Sequence, residues 1–288
     1  MCITCGCSDN SEVTVTNPQT GTHEHILADG TVISHSHHAH DHAHDHAHAH
    51  AHDHAHAHDH EHPHHPAEIH AQIHGNILQV EQNLLAKNNL LAAQNRGWLK
   101  GRKTVALNLV SSPGSGKTTL LTRTISDLKT AIPISVIEGD QATANDAQKI
   151  SETGCQVIQI NTGTGCHLEA SMVERGLIEL DPPMNSLVMI ENVGNLVCPA
   201  LFDLGENAKV VILSVTEGED KPIKYPYMFH ASQVMILTKI DLLPYVNFNL
   251  DRCLDYAYQV NPNLKVFQVS ATTGEGLDAW YGWLKSLV

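Results

Sequence analysis

Positive charge is scarce and unevenly placed in this sequence of 288 residues. Residues 1–86 contain no lysine or arginine, and the whole chain has 17 of them against 31 aspartates and glutamates. A protein that binds nucleic acid needs a basic surface to neutralise phosphates, so the composition argues against that class. No apolar run reaches the ~18–20 residues of a membrane span. The sequence therefore predicts neither a nucleic-acid partner nor a membrane partner.

The first residues, Met1 to Cys7, have neither the basic residues nor the apolar stretch of a signal peptide. This predicts a cytoplasmic, reducing environment, in which cysteines are thiols or metal ligands rather than disulfides. Cys2, Cys5 and Cys7 are close enough in sequence to bind one soft or borderline ion, such as Ni²⁺ or Zn²⁺. A redox Cys-x-x-Cys motif is the alternative, although its usual βαβ setting is missing.

Histidine is concentrated in one tract, because 17 of the 23 histidines lie between His35 and His65. They alternate with alanine or aspartate, so the tract has almost nothing to bury and is expected to be disordered. Imidazoles at this spacing predict several labile metal sites that store ions. A solvated, pH-sensitive spacer is the alternative.

Composition and periodicity divide the chain into four parts. Residues 1–34 form an N-terminal segment with the cysteine cluster, and residues 35–66 form the histidine-rich storage tract. Residues 67–97 place Ile69, Ile73 and Ile77 on one face of an amphipathic helix that ends near Gly97. Residues 98–288 form the main domain.

From Lys103 onward, short runs rich in β-branched residues alternate with helical patterns, and a final helix is expected over residues 277–287. This alternation predicts an α/β fold with a mostly parallel central sheet, buried on both faces. The predicted strands lie near residues 105–110, 134–138, 156–160, 187–190, 210–215, 234–238 and 265–269.

The first of these strands leads into the sequence Gly114-Ser115-Gly116-Lys117-Thr118-Thr119. A strand, a glycine-rich loop and a helix in this order are typical of a P-loop. The glycines let backbone N–H groups surround a β-phosphate, Lys117 reaches the β- and γ-phosphate oxygens, and the Thr118 hydroxyl binds Mg²⁺. Ser111 replaces the first glycine of the full motif, and a simple turn before a helix is the alternative.

A second motif indicates guanine recognition. Thr238-Lys239-Ile240-Asp241 follows a buried strand and is similar to the Asn-Lys-x-Asp signature of GTP-binding proteins. The Asp241 carboxylate can accept hydrogen bonds from guanine N1–H and N2, which adenine does not offer, while the stem of Lys239 lies over the ring. Ser270 and Ala271, after the last strand, resemble the loop whose backbone N–H contacts guanine O6.

Carboxylates between these motifs are candidates for nucleotide sensing and hydrolysis. Glu191-Asn192-Val193-Gly194 resembles a D-x-x-G switch with glutamate in the first position, so Glu191 can reach Mg²⁺ through water and the Gly194 N–H can bond a γ-phosphate. Asp140 is assigned to Mg²⁺ or to orienting the attacking water. A helix N-cap is the alternative role for Asp140.

A further metal site is predicted inside the main domain. Cys166 and His167 follow the third strand of that domain, and Cys198 follows Gly194 by four residues. Ligand sites in open α/β folds lie at the carboxyl edge of the sheet, so these three residues can share one ion. Buried core thiols are the alternative, and this is the interpretation for Cys155 and Cys253.

The combination of the Cys2/Cys5/Cys7 cluster, the P-loop, Glu191–Asn195, Cys166-His167, Cys198 and Thr238–Asp241 resembles the hydrogenase maturation nickel-insertion GTPases, the HypB family. The resemblance implies a SIMIBI-type P-loop fold and a slow GTPase that uses GTP/GDP and dimerises with nucleotide. It implies a high-affinity nickel site at the N-terminal thiols and a weaker nickel or zinc site at Cys166, His167 and Cys198. It also implies two partners, a small zinc-containing maturation protein and the precursor of the [NiFe]-hydrogenase large subunit.

Two other functions remain open from the sequence. A nickel storage protein with an idle GTPase fold would need only the histidine tract and the thiols. A urease-type nickel-insertion GTPase would have the tract and the P-loop, but a cluster such as Cys2/Cys5/Cys7 is not expected in it.

Overall fold

The computed structural model describes residues 14–17, 22–26, 32–36, 66–141 and 145–288, with side-chain surroundings from residue 82 onward. Cys2, Cys5, Cys7 and residues 37–65 of the histidine tract lie outside the described residues. The expectations of an N-terminal nickel site and of a disordered tract therefore stay predictions.

Ten strands form one twisted sheet, and their order across it is β10-β9-β8-β4-β7-β5-β6-β1-β2-β3. The seven strands from β4 to β10 are parallel to one another and confirm the α/β fold class predicted from the apolar runs. The strands are β1 (Thr14–Asn17), β2 (Thr22–Ile26), β3 (Val32–Ser36), β4 (Val105–Ser111), β5 (Ile134–Asp140), β6 (Gln156–Asn161), β7 (Leu187–Gly194), β8 (Ala208–Ser214), β9 (Val234–Thr238) and β10 (Lys265–Val269).

An antiparallel meander extends the sheet at the β6 edge. β1 pairs antiparallel with β6, Val15 lying opposite Ile160, and β2 and β3 follow in turn. The sequence pattern does not predict these strands, because they are short and contain few apolar residues. β3 also extends to Ser36, past the predicted boundary between the N-terminal segment and the histidine tract.

Helices cover both faces of the parallel sheet. On one face α2, α3 and α8 pack over a core that contains Leu121, Ile150 and Trp280. On the other face α1 and α4 cover one half of the sheet, and α6 and α7 cover the other. The helices are α1 (Pro66–Gly101), α2 (Lys117–Leu128), α3 (Asn145–Ser151), α4 (Ala170–Leu180), α5 (Lys221–Lys224), α6 (Pro226–Ala231), α7 (Leu250–Val260) and α8 (Leu277–Lys285), with 3₁₀ turns at Cys198–Ala200 and Ile240–Tyr245.

The expected end of α1 at Gly97 is wrong, since the helix continues to Gly101. A glycine inside a helix costs only about 1 kcal/mol relative to alanine. Leu99, beyond the glycine, is buried in the cluster that also contains Ala106 and Leu177, and burial of such a side chain contributes about 1.5–3 kcal/mol. Packing therefore carries the helix past the glycine, and the predicted 97/98 boundary falls inside α1. The last helix ends at Lys285, two residues before the predicted end.

Among the described residues, no helix is long and apolar enough to cross a membrane.

Parallel strand pairing determines where the loops meet. The carboxyl ends of β4 to β10 all lie along one edge of the sheet, and ligands of open α/β folds bind at this edge. The edge receives the P-loop sequence after β4, Asp140 at the end of β5, Cys166 and His167 after β6, and Cys198 after β7. The sequence motifs are thus brought to one side of the molecule.

Gly205 provides a test of how closely α1 packs on the loop that follows β7. Its φ is +91°, and a Cβ atom there would lie 2.6 Å from the Ala92 carbonyl oxygen and 2.7 Å from the Asn95 Cβ. Gly154 has a similar φ of +81°, with no described atom within 4 Å of a Cβ.

Alanine at Gly205 and alanine at Gly154 each incur about 1–2 kcal/mol of left-handed backbone strain. Gly205→Ala should lose roughly 1–3 kcal/mol more in urea unfolding, because the added methyl overpacks the contact. Equal losses would contradict a close contact between the loop and α1.

Candidate nucleotide-binding and metal-binding sites

The loop between β4 and α2 has the backbone shape that a phosphate-binding loop requires. Gly114 and Gly116 have φ values of +76° and +89°, in the left-handed region that favours glycine. Gly116 is the N-cap of α2, and no described side chain caps the first turn. The N–H groups of a helix N-terminus are donors for an anion.

A cavity of about 500 Å³ opens in front of this loop. Most of the residues predicted to contact nucleotide or magnesium lie on its wall, including Asp140, Glu191 and Gly194. Asp241, Ser270 and Ala271 do not. The wall consists of residues 111–119, residues 138–141, Asp146, Lys149, Glu191, Val193, Gly194 and Lys239.

Thr118 and Glu191 are in direct contact inside the cavity. The Thr118 hydroxyl donates to Glu191 Oε1 at 2.6 Å and also lies 3.1 Å from Asp146 Oδ2, while Lys117 Nζ lies 3.5 Å from Glu191 Oε1. Glu191 is 2% exposed, and its Oε2 has no hydrogen-bond partner among the described residues. Burial raises the pKa of Glu191, and Lys117 and Thr118 oppose that shift.

The oxygen atoms at this point fit a magnesium ion. Mg²⁺ prefers carboxylate and hydroxyl oxygens and bound water. The Thr118 hydroxyl, Glu191, Asp146 and the nearby Asp140 supply that donor set, and the unpaired Glu191 Oε2 is one acceptor still available. Sequence reasoning missed Asp146, which lies at the start of α3.

Glu138 is the second site residue that sequence reasoning missed. It is opposite Glu191 in the register of β5 and β7, and it is 2% exposed. Burial, with Glu191 and Asp140 adding to it, raises the pKa of Glu138 to about 9. The sequence contained a signal for Glu138, because side chains alternate along a strand and Glu138 is therefore on the same face as Asp140.

The guanine-type motif contacts the P-loop directly. The Thr238 hydroxyl donates to the Ser115 carbonyl at 2.6 Å, and Lys239 Nζ donates to the Gly114 carbonyl at 2.7 Å. Thr238 thus links β9 to the loop. Asp241 lies two residues after Lys239, in the 3₁₀ turn that begins at Ile240.

The Ser270–Ala271 loop is joined to the helix that follows the P-loop. Arg123 of α2 donates from Nη1 to the Ala271 carbonyl at 3.1 Å. Ser270 is buried. Both loops predicted to contact the base therefore lie beside the P-loop or its helix.

Cys166, His167 and Cys198 form a cluster, as the loop positions predict. One ligand atom from each lies within 4.8 Å of the others, and all three residues are buried. The His167 ring packs against Phe202 with 3.9 Å between centroids. Burial lowers the pKa of His167 to about 4, so its imidazole is neutral at pH 7, the form that binds metal ions.

The other two described cysteines are core residues, as predicted. Cys155 and Cys253 are buried away from this cluster, and burial raises the pKa of both thiols to about 12.

Two short connections join the cluster to the cavity. The Leu168 backbone N–H, next to His167, donates to Asn192 Oδ1 at 3.1 Å, and Asn192 follows Glu191 directly. The Gln141 side chain donates to the Gly165 carbonyl at 3.1 Å. The loop that carries Cys166 and His167 is therefore bonded to the ends of β5 and β7, which also line the cavity.

Gly194 is in contact with the P-loop. A Cβ atom at Gly194 would lie 3.1 Å from Pro113 Cγ and 3.3 Å from the Pro113 backbone. The segment from Glu191 to Gly194 thus touches the P-loop at one end and the loop of the cysteine–histidine cluster through Asn192.

Comparisons with known proteins identify relatives of this chain. A family model described as the CobW/HypB/UreG nucleotide-binding domain matches residues 105–268. Hydrogenase maturation factor HypB of Escherichia coli K12 is 56% identical over 210 residues, which are 73% of this chain and 72% of that protein. HypB of Rhizobium leguminosarum bv. viciae is 60% identical over 209 residues, 73% of this chain and 70% of that protein. A crystal structure of HypB from Helicobacter pylori in complex with nickel is 37% identical, has a TM-score of 0.66, and covers 69% of this chain and 94% of that chain.

The buried Glu138 should make stability fall as pH rises in the metal-free and nucleotide-free protein. Its pKa is near 4.5 when exposed and about 9 in the fold, so between these values the folded state keeps a proton that the unfolded state has lost. One such proton lowers the free energy of unfolding by up to about 1.4 kcal/mol per pH unit. Glu138→Gln removes this effect and should be more stable than the parent at pH 8, but similar to it near pH 5.

The measurement is urea unfolding at several pH values between 5 and 9. The exposed Glu179 of α4 gives the control, and Glu179→Gln should follow the parent throughout. A Glu138→Gln curve parallel to that of the parent would show that Glu138 is ionised in the fold.

Proposed function

Because the chain belongs to the HypB family of hydrogenase maturation factors, within the CobW/HypB/UreG group of nucleotide-binding proteins, we propose that it is a GTP-hydrolysing nickel metallochaperone. Nickel is its cargo, and the recipient is the large-subunit precursor of a [NiFe]-hydrogenase. The second partner is a small zinc-containing maturation protein. The proposed active form is a homodimer that acts in the cytoplasm.

Guanine specificity is assigned to the residues beside the P-loop. Lys239 is fixed by its bond to the Gly114 carbonyl, so its stem is available to cover one face of a base. Asp241, two residues further on, supplies the carboxylate for N1–H and N2. The bond from Arg123 to the Ala271 carbonyl supports a fixed position for the loop assigned to O6.

Hydrolysis is assigned to the cavity in front of α2. Lys117 and the N–H groups at the start of α2 stabilise negative charge on the phosphates. Magnesium, when bound, supplies charge neutralisation between the phosphate groups, and Thr118, Glu191 and Asp140 are the residues assigned to hold it. Asp140, which lines the cavity, is also assigned to orienting an attacking water. A slow intrinsic turnover is part of the same proposal.

Nickel is assigned to three places. Cys2, Cys5 and Cys7 are proposed as the tight site, and the histidine tract as a store of labile ions. Cys166, His167 and Cys198 are proposed as the inner site for nickel or zinc. Two thiolates and a neutral imidazole are ligands that suit both ions.

The observation that carries the proposal is the hydrogen bond between Leu168 and Asn192. It joins a residue next to His167 to a residue next to Glu191. A nucleotide that moves the Glu191–Gly194 segment therefore has a direct route to the metal ligands. A storage protein would not need this connection.

Asp241→Asn should exchange guanine for xanthine specificity. The asparagine amide group would place its N–H donors against the N1–H and N2 donors of guanine. The same amide can donate a hydrogen bond to the carbonyl of xanthine. Losing hydrogen bonds to a charged group costs about 1.5–3 kcal/mol each, so GTP affinity should fall at least tenfold. Affinities for GTP and xanthosine triphosphate can be compared by calorimetry, with Asp255→Asn on the exposed face of α7 as the control. An unchanged GTP affinity would exclude Asp241 as the base-selecting residue.

Metal affinity at the inner site should depend on the nucleotide. The test protein has Cys2, Cys5 and Cys7 replaced by alanine. Nickel bound to thiolates gives an absorption band that nickel bound to histidines does not give. In this protein the band therefore reports the inner site alone. In buffered Ni²⁺, the free Ni²⁺ concentration at which this band reaches half its maximum should differ between the GDP complex and the complex with a non-hydrolysable GTP analogue. A coupling of about 1–3 kcal/mol corresponds to a shift of about 5–150-fold.

Reciprocity supplies the control for this coupling. Nickel must change the relative affinity for the two nucleotides by the same factor. Cys198→Ala should abolish that effect of nickel, and Cys253→Ala, which removes a buried thiol of the core, should keep it. Equal midpoints in GDP and in the analogue would mean that the inner site does not sense the nucleotide.

A further inference from the structure

Two asparagines on α1 make the same unusual set of contacts. Asn88 and Asn95 are two helical turns apart on one face of the helix, and they are 5% and 2% exposed. Both direct their side-chain amides at the same two segments of the domain. One segment starts α4, and the other follows the 3₁₀ turn that begins at Cys198.

Asn88 bridges these segments with both ends of its amide. Its Oδ1 accepts a hydrogen bond from the Ala170 N–H at 2.8 Å, and its Nδ2 donates to the Asp203 carbonyl at 2.7 Å. Asn95 bridges them with one group, because its Nδ2 donates to the Ala170 carbonyl at 2.9 Å and to the Leu204 carbonyl at 3.0 Å.

The bridged segments are those that carry the inner metal ligands. Ala170 is three residues after His167, and Asp203 is five residues after Cys198. Phe202, next to Asp203, packs on the His167 ring. Arg96 of α1 adds a paired contact to the Asp203 carboxylate, with Arg96 Nη2 2.7 and 2.8 Å from its two oxygens. The distance between the Cys166-His167 loop and the Cys198 loop is thus fixed partly from α1.

We propose that Asn88 and Asn95 form a clasp that holds the two loops at the separation that metal binding needs. These asparagines are positioning residues, because they touch backbone groups near the ligands and not the ion. The inference rests on the proposed inner site at Cys166, His167 and Cys198. It gives α1 a role in metal affinity beyond covering the sheet.

Local structure offers no substitute for these bonds. Glu169, the N-cap of α4, makes no side-chain cap, so Asn88 supplies the acceptor for the first N–H of that helix. Without the asparagines, buried N–H and carbonyl groups lose their partners, and the loops gain freedom to move apart. Groups that orient metal ligands typically change metal affinity by 10–100-fold when removed.

The test uses the full chain with Cys2, Cys5 and Cys7 replaced by alanine, in which the thiolate-to-nickel band reports the inner site. Its midpoint is measured in chelator-buffered Ni²⁺ for Asn88→Ala, Asn95→Ala and Asn88→Asp. Asn89→Ala is the matched control, because Asn89 is the next residue on α1 and is exposed. GTP affinity and the apo thermal midpoint are measured for each variant.

Asn88→Asp separates a clasp from a simple helix cap. Its carboxylate still accepts from the Ala170 N–H, but it has no donor for the Asp203 carbonyl, so the bridge is broken while the cap remains. The clasp predicts nickel binding about tenfold weaker in Asn88→Asp, as in the alanine variants, with GTP affinity unchanged. Nickel affinity equal to that of Asn89→Ala would overturn the clasp.

Failure of the proposed inner site gives a different result. In that case the triple-alanine parent shows no thiolate-to-nickel band, or Cys198→Ala leaves the band in place. Either result would overturn both the inner site and the clasp. A band that depends on Cys198 but not on Asn88 or Asn95 would overturn the clasp alone.

Discussion

The position of β7 between β4 and β5 in the parallel sheet is the constraint on which both candidate sites depend. β7 pairs with β4, which leads into the P-loop, and with β5, which ends at Asp140. Side chains alternate along a strand, so consecutive residues at its end point to opposite faces. Glu191 therefore faces Thr118 in the cavity, and Asn192 faces the loop that carries Cys166 and His167. One strand end thus faces the cavity on one side of the sheet and the proposed metal ligands on the other.

The loops that carry Cys166, His167 and Cys198 are held from inside the sheet as well as from α1. Asn192 Nδ2 donates to Asn108 Oδ1, Asn108 Nδ2 donates to Glu206 Oε1, and Glu206 Oε2 accepts from the Leu204 N–H. This chain of buried polar groups runs from Asn192 to the segment after Cys198. Buried polar groups are stabilising only when all of them have partners, so such a network favours discrete arrangements over gradual deformation. A change at Asn192 would therefore be transmitted to both loops together.

Sequence patterns predict features whose physical causes are local. The seven parallel strands are predicted because each is a short run rich in apolar and β-branched residues, and the Cys166, His167 and Cys198 cluster follows because parallel strands end at one edge. Glu138 and Asp146 are missed because their roles depend on which strands and helices become neighbours. Asn88 and Asn95 resemble ordinary polar residues of a surface helix, and only the docked position of α1 reveals their partners. The helix end near Gly97 is wrongly predicted because tertiary burial of Leu99 outweighs the local preference of glycine.

Charge balance makes the proposed inner metal site sensitive to the separation of its ligands. In the proposed site, Ni²⁺ with two thiolates and a neutral imidazole has no net charge, which a buried environment tolerates. Without the ion, two thiolates would leave a buried double negative charge, so the empty site favours protonated thiols, and metal binding releases protons. Separating Cys198 from Cys166 and His167 leaves the ion with incomplete charge compensation in a buried site. A small displacement of the Cys198 loop would therefore be enough to weaken binding at the proposed inner site, as release of an ion from that site requires.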